Sequence, residues 1–242
     1  MAKNTGPVAM ITGAAGNLGA AVAEVFAARG ARLVLMGRTI ESLRTAFPGE
    51  SDDRMLVAAD LSDESAVARG VEAAVARFGG IRILCNIAGG FHYGEPVYKM
   101  PREIWNRYHE LNAGTMLSAV KAVVPHMIEA GDGVVFNIGS AASVHGHAHM
   151  AAYAASKGEV LRFTESMAEE LAGTGVSVIC IMPTVIDTPE NRAEMPKANP
   201  ASWTPPAEMA ELMWLLSAKE AALMSGCLIP IKGRVSKAAR GT

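Results

Sequence analysis

Short runs that are apolar at nearly every position recur along the chain. Between them lie longer stretches in which apolar residues return every three or four positions. The runs 8–12, 32–36, 55–59, 81–86, 134–138, 176–181 and 228–231 read as strands, and a strand without polar alternation is what a sheet covered on both faces requires. The intervening stretches read as helices: 17–29, 64–78 behind a cap at Ser62, 102–130 as two helices in sequence, and 150–171, ending before Gly173 and Gly175. A last helix, 206–217, carries Pro206 in its first turn, where a missing N–H does no harm. Seven strands with helical crossovers predict an α/β fold, one parallel sheet with helices on both faces, in a single domain spanning residues 1–242.

Two segments break the rhythm. Residues 89–100 form a loop rich in Gly, Pro and aromatic side chains, and residues 184–206 contain Pro189, Pro196, Pro200, Pro205 and Pro206 just after Pro183. The second cannot be one long helix. Both follow the carboxyl end of an expected strand, the edge at which such sheets bind ligands, so 184–206 reads as a mobile lid over a pocket.

Composition narrows the function. Of the 242 residues, 50% are hydrophobic and 19% charged, enough to bury one large core and too apolar for a disordered chain. With 22 basic and 24 acidic residues the formal net charge is -2, without the basic excess of a nucleic-acid binder. No apolar run approaches the ~18 residues of a spanning helix, and the first apolar segment, broken by Gly13, is too short for a signal peptide. Cys85, Cys180 and Cys227 are odd in number, scattered and set among apolar residues, which argues against disulfides or zinc and for a reducing, cytoplasmic setting.

Chemistry enters at the end of the first strand. Thr12-Gly13-Ala14-Ala15-Gly16-Asn17-Leu18-Gly19 leads directly into an Ala-rich helix. Glycines there allow a tight turn and bring backbone N–H groups and a helix N-terminus to a pyrophosphate. Tyr153 and Lys157 stand four apart on an expected helix and share a face. An ammonium near a phenol favours phenolate and lowers a pKa that is otherwise about 10, making an acid–base group. Ser140, thirteen positions earlier and just past a strand, reaches the same edge.

With these residues in order, together with Asp60, Asn86-Ile87-Ala88-Gly89, Asn112 and the stretch from Pro183 to Thr188, the chain resembles the short-chain dehydrogenase/reductase family over essentially its whole length. The resemblance implies a Rossmann-type, doubly wound sheet. It implies that Tyr153 exchanges a proton with the substrate oxygen, that Lys157 binds the nicotinamide ribose and lowers the Tyr153 pKa, and that Ser140 orients the reacting oxygen. Asn112 would anchor a water linking Lys157 to solvent. The cofactor would lie along Gly13, Gly16, Asn17, Leu18 and Gly19, with Asp60 and Leu61 at the adenine, Asn86, Ala88 and Gly89 near the adenosine-side ribose, and Pro183, Ile186 and Thr188 at the nicotinamide amide. Relatives pair subunits through the helices carrying Asn112 and Tyr153, so a homodimer or homotetramer is expected.

The chain departs from the family at two points. Asn17 stands where the turn has its middle glycine, and Asn tolerates positive φ; Pro183-Thr184 replaces Pro-Gly, which leaves the path of the lid open. After the second strand, Gly37 occupies the place of the acid that accepts a ribose 2′-OH bond, and Arg38 follows. A guanidinium suits a 2′-phosphate, so NADP(H) is expected over NAD(H), although no basic residue lies inside the glycine turn.

His145, His147 and His149 alternate before Tyr153 and would share a side in an extended chain. No carboxylate or cysteine is near to complete a metal site, and no metal is expected. Phe91, His92, Tyr93 and Tyr98 are candidate pocket or interface residues, and the basic tail 232–242 is a solvated end or subunit contact. The expected function is hydride transfer between NADP(H) and a small, mostly apolar carbonyl or alcohol. Two alternatives remain: a C=N reductase, because Asp187 to Pro196 with Trp203 resembles the lid of quinoid dihydropteridine reductases, and a non-catalytic dinucleotide sensor.

Overall fold

The computed structural model describes residues 4–233. The basic tail expected to be a solvated end or a subunit contact lies almost wholly outside them. Seven strands, β1 (Val8–Thr12), β2 (Arg32–Gly37), β3 (Arg54–Ala58), β4 (Ile83–Asn86), β5 (Gly133–Ile138), β6 (Val176–Pro183) and β7 (Leu228–Ile231), form one sheet in the order β3-β2-β1-β4-β5-β6-β7. Every adjacent pair is parallel. The chain winds outward from β1 to β3, then returns to start again at β4. Connections therefore diverge above β1 and β4 and leave a crevice at their carboxyl ends.

Pleating explains the apolar strands. Ala9 and Ile11 of β1 face α1 (Asn17–Ala28) and α8 (Pro206–Leu215), packing with Val22, Phe26 and Met213. Val8 and Met10 face the other way, toward Val67 and Val71 of α3 (Glu64–Phe78) and Val123 and Met127 of α5 (Thr115–Ala130). Both faces of the strand are buried, so neither tolerates polar residues. Phe26 is fully buried with Trp214 edge-on at 5.2 Å. A side chain of that size contributes roughly 1.5–3 kcal/mol by leaving water.

Three local expectations are corrected. A short helix, α2 (Ile40–Ala46), follows β2; its mark in the sequence is Thr39, whose Oγ1 accepts the Ser42 N–H at 3.2 Å. The cap of α3 is Asp63, not Ser62: the Asp63 carboxylate accepts from Ser65 and Ala66, while the Ser62 hydroxyl donates to Asp60 at 2.8 Å. Residues 102–130 are one continuous helix rather than two. α4 (Arg102–His109) passes through a π turn (Glu110–Gly114) into α5 with helical backbone angles throughout. Such turns widen a helix by one residue and concentrate at functional positions.

Candidate active site

The glycine turn joins β1 to α1 at the crevice. Gly13 takes the left-handed position, φ 63°, and a Cβ there would meet the Ala88 backbone at 2.9 Å; at Gly19 it would meet the Gly13 carbonyl at 2.3 Å. Gly16 caps α1, and the turn closes by Gly16 N–H donating to Gly13 O at 3.0 Å. Asn17 needs no positive φ: it is the first residue of α1, because Gly13 alone carries the left-handed turn. Leu18 is buried against the core. Thr12, which sequence reasoning did not single out beyond the turn, pins the turn to the loop after β4, its Oγ1 accepting from Ile87 N at 3.1 Å and Ala88 N at 3.2 Å.

Beside this turn, Gly37 is buried and Arg38 exposed at the end of β2. Asp60 is exposed nearby, its carboxyl held below the ordinary carboxylate value by the Ser62 N–H and hydroxyl, with help from the Arg38 charge. Leu61 beneath it is buried.

The second group of candidates gathers over β4 and β5. Asn86 and Asn137 are register partners on adjacent strands; Asn86 Nδ2 donates to Asn137 Oδ1 at 2.9 Å, and Asn137 Nδ2 donates to Thr164 Oγ1 at 2.9 Å. The Asn86 side chain thus serves a buried ladder, and its Oδ1 is buried without a protein partner. A buried acceptor left open is costly unless something else meets it.

Asn112 lies in the π turn, its side chain spent on the protein. Oδ1 accepts Gly90 N–H at 2.9 Å, and Nδ2 donates to Gly90 O at 3.1 Å and Ser156 Oγ at 3.0 Å. Both amide hydrogens are used, so this group ties loop, π turn and the Tyr153 helix together and has no hydrogen left for a water. A Cβ placed at Gly89 would lie 2.7 Å from Asn112 Oδ1 and 3.1 Å from Lys157 Nζ, so only glycine fits where they converge.

Helix α6 (Ala151–Glu170) carries Tyr153 and Lys157. Lys157 is buried and donates to the Ile138 carbonyl at 2.7 Å. Burial pushes its ammonium down from 10.5 to about 8. Burial raises the Tyr153 phenol above the ordinary value of 10, with the Ser140 hydroxyl opposing. Lys157 therefore does not lower the Tyr153 pKa in this arrangement: its amine is turned to a carbonyl, and low-dielectric surroundings penalise both charges. Ser140 is buried at the end of β5, and its Oγ also accepts the Ala142 N–H at 3.2 Å. Phe91 lies edge-on to Tyr153 at 5.0 Å.

Strand β6 runs straight on through Pro183, and Thr184 N–H still donates to Ile231 O at 3.2 Å, which answers the question posed by the missing glycine. The base of the 184–206 segment is stitched by a bridge between Ile186 and Thr204, and Trp203 is buried beneath it. Thr188 caps the short helix α7 (Pro189–Glu194). Glu190 on α7 accepts from Asn17 Nδ2 at 2.8 Å, a contact across the glycine turn that no sequence signal announced. The segment holding His145, His147 and His149 is not extended; after the 3-10 turn Ala141–Ser143 it bends and turns, with His149 at φ 65°, so alternation does not align the imidazoles. Among the described residues no three His, Cys, Asp or Glu side chains group as a metal site. Cys85, Cys180 and Cys227 are unpaired; the first two are buried, while Cys227 is exposed rather than set in apolar surroundings. No helix among the described residues is long and apolar enough to cross a membrane.

Comparison with known proteins agrees with this arrangement. Residues 7–199 match the family model of short chain dehydrogenases. The chain is 35% identical over 188 residues, 75% of each chain, to 2-(R)-hydroxypropyl-CoM dehydrogenase of Xanthobacter autotrophicus. It is 30% identical to a 3-oxoacyl-(acyl-carrier-protein) reductase of Vibrio cholerae, covering 94% of this chain and 96% of that one. Its fold superposes on 3-ketoacyl-(acyl-carrier-protein) reductase from Brucella melitensis complexed with NADH, with TM-score 0.83 and 29% identity over 93% and 96% of the two chains. A crevice between β1 and β4, a glycine turn that excludes side chains, and a Tyr–Lys helix beside it, set in a chain with these relatives, place the protein in the short-chain dehydrogenase/reductase family of NAD(P)-dependent oxidoreductases.

Proposed function

We propose that this protein reduces a small, mostly apolar carbonyl compound with NADP(H), Tyr153 acting as the proton donor. The observation that carries this reading is the gathering of Ser140, Tyr153 and a buried Lys157 at the crevice, where the Ser140 hydroxyl acts on the Tyr153 phenol. The nicotinamide supplies the hydride when bound. A phenol raised by burial stays protonated across the neutral range, the form needed to give H⁺ to a carbonyl oxygen as negative charge develops there. Ser140, whose hydroxyl acts on that phenol, orients the same oxygen. Lys157 supplies positive charge beside the ribose and draws protons inward, and the Asn112 side chain holds the walls that let it do so.

The residues present fit a dinucleotide. Gly13, Gly16, Asn17, Leu18 and Gly19 would hold a pyrophosphate at the start of α1, where N–H groups have no helical partner and Gly16 and Asn17 are exposed. Arg38 would take a 2′-phosphate, Asp60 and Leu61 the adenine, and Asn86, Ala88 and Gly89 the neighbouring ribose, the open Asn86 Oδ1 included. Tyr153 and Lys157 would take the nicotinamide ribose, and Pro183, Ile186 and Thr188 its amide. Residues 184–206 serve as the substrate lid of a single domain, and three unpaired thiols favour a cytoplasmic site of action.

A panel of ketones, alcohols and quinonoid dihydropterin, assayed with NADPH and NADH, tests the reaction class. Turnover of ketones is expected, and turnover of the dihydropterin alone would replace the reading with a C=N reductase. Tyr153→Phe is expected to lower kcat by about 10²–10⁴-fold with cofactor affinity unchanged. Full activity in that variant would remove Tyr153 from the chemistry, and tight cofactor binding with no turnover in the parent would point to a sensor.

A further inference from the structure

His149 is the one non-glycine residue with positive φ, 65°, among the described residues. A left-handed backbone strains an L-residue with a Cβ, and His is not glycine. Something must hold it there. Two bonds to Gly94 do: Gly94 N–H donates to His149 O at 2.9 Å, and His149 Nδ1 lies 2.8 Å from Gly94 O. A carbonyl only accepts, so Nδ1 carries the proton. The Tyr93 ring covers the imidazole at 5.3 Å.

This pair joins the loop after β4 to the turn that feeds α6, four residues ahead of Tyr153. The loop is fixed at two further places. Gly90 is gripped by Asn112, and His92 stacks on Tyr108 of α4 at 4.8 Å. Between these points stands Phe91, half exposed and edge-on to Tyr153. The hold at Asn112 and the stack at Tyr108 fix the loop to the helix behind it. Asn112 also ties Gly90 to α6 through Ser156, and the His149 contacts add a hold at the far end of the loop, Gly94, on the turn that leads into α6.

We propose that His149 is a positioning residue that clamps the loop across the crevice, keeps Phe91 against Tyr153, and thereby sets the width of the entrance for a carbonyl substrate. The proposal rests on the dehydrogenase reading for its catalytic part, while the clamp itself is a property of the free protein. Because the imidazole does not reach the reacting oxygen through any contact described, its effect falls on substrate fit rather than on proton transfer. A narrow, aromatic-walled entrance favours unbranched carbonyls over bulky ones.

Two variants test it. His149→Gly accepts the same backbone without strain and removes the Nδ1 bond, whereas His149→Asn tolerates left-handed φ and offers an amide N–H to Gly94 O. Loss of one such bond, net about 1 kcal/mol, predicts a rise of about fivefold in KM for a small ketone in the glycine variant, with kcat and cofactor Kd within twofold of the parent. Its preference for small over bulky ketones should fall by a similar factor, and His149→Asn should restore both. Hydrogen exchange reads the clamp without turnover: amides of residues 90–94 are expected to exchange about tenfold faster in His149→Gly and to recover in His149→Asn. Unchanged exchange in the glycine variant overturns the clamp. Faster exchange with parental KM and selectivity overturns its role in substrate fit. A parent that reduces nothing in the panel refutes the dehydrogenase reading and with it the entrance role, while the exchange result still decides whether the clamp exists.

Discussion

Lys157 shows how one buried side chain links folding to the site. Its amine is pushed down to about 8 from 10.5 by burial, so between those values the folded protein binds fewer protons than the unfolded chain. Stability on this account rises with pH across the window, and below it the buried ammonium costs about 3 kcal/mol. The melting temperature of the cofactor-free parent, compared with Lys157→Met, should therefore shift in the parent's favour as pH goes from 8 to 10.5. A constant difference would mean that Lys157 titrates normally. A second residue-scale prediction concerns Gly37. A Cβ there would lie 3.0 Å from Cδ2 and 3.1 Å from Cγ of the buried Leu43, so a side chain fits if Leu43 gives by a few tenths of an ångström. Gly37→Asp places a carboxylate beside Arg38 and repels a 2′-phosphate. Losing a charge-assisted contact of ~1.5–3 kcal/mol predicts a rise of about 10–100-fold in KM for NADPH with NADH favoured, and kcat/KM for both cofactors checks it.

Among the elements, α7 is the one whose role depends on a contact rather than on its own sequence. It has six residues and carries Glu190 onto the amide of Asn17, at the N-terminus of α1. Its own backbone N–H, and after it the Asn17 amide, hold the Glu190 carboxyl below its ordinary value, so it is an anion at neutral pH. An anion there competes with the phosphates proposed to bind the same turn. Glu190→Gln keeps the size and removes the charge, and is expected to tighten NADPH binding by about threefold at low salt, less at high salt. Fluorescence titration of the cofactor checks this, and unchanged or weaker binding would show that the carboxylate does not oppose the ligand. The π turn teaches a related lesson. Periodicity alone divided 102–130 into two helices, because the apolar pattern slips there. The structure keeps the helix continuous and uses the slip to turn Asn112 inward.

At the scale of the whole molecule, the expected pairing through the helices carrying Asn112 and Tyr153 has exposed apolar residues to work with, Leu117 on α5 and Phe163 on α6. A dimer or tetramer at micromolar concentration is the expected result of light scattering, and Leu117→Glu with Phe163→Glu should shift it toward monomer; a monomeric parent would refute it. The sheet, its two covered faces and the order of helices were legible in the chain, because local periodicity is a direct consequence of which side of a strand or helix meets the core. The Tyr153–Lys157 spacing and the glycine turn were legible for the same reason: both are set by backbone geometry over a few residues. What the sequence hid was every relation between distant segments. Lys157 turned to Ile138, Asn86 spent on Asn137, Glu190 on Asn17 and His149 clamped to Gly94 each depend on where two loops or strands lie in space. The raised phenol of Tyr153 belongs to that second class: the sequence supplied a neighbouring amine, but the fold turns that amine to Ile138, and burial, a property of the packed molecule alone, raises the phenol.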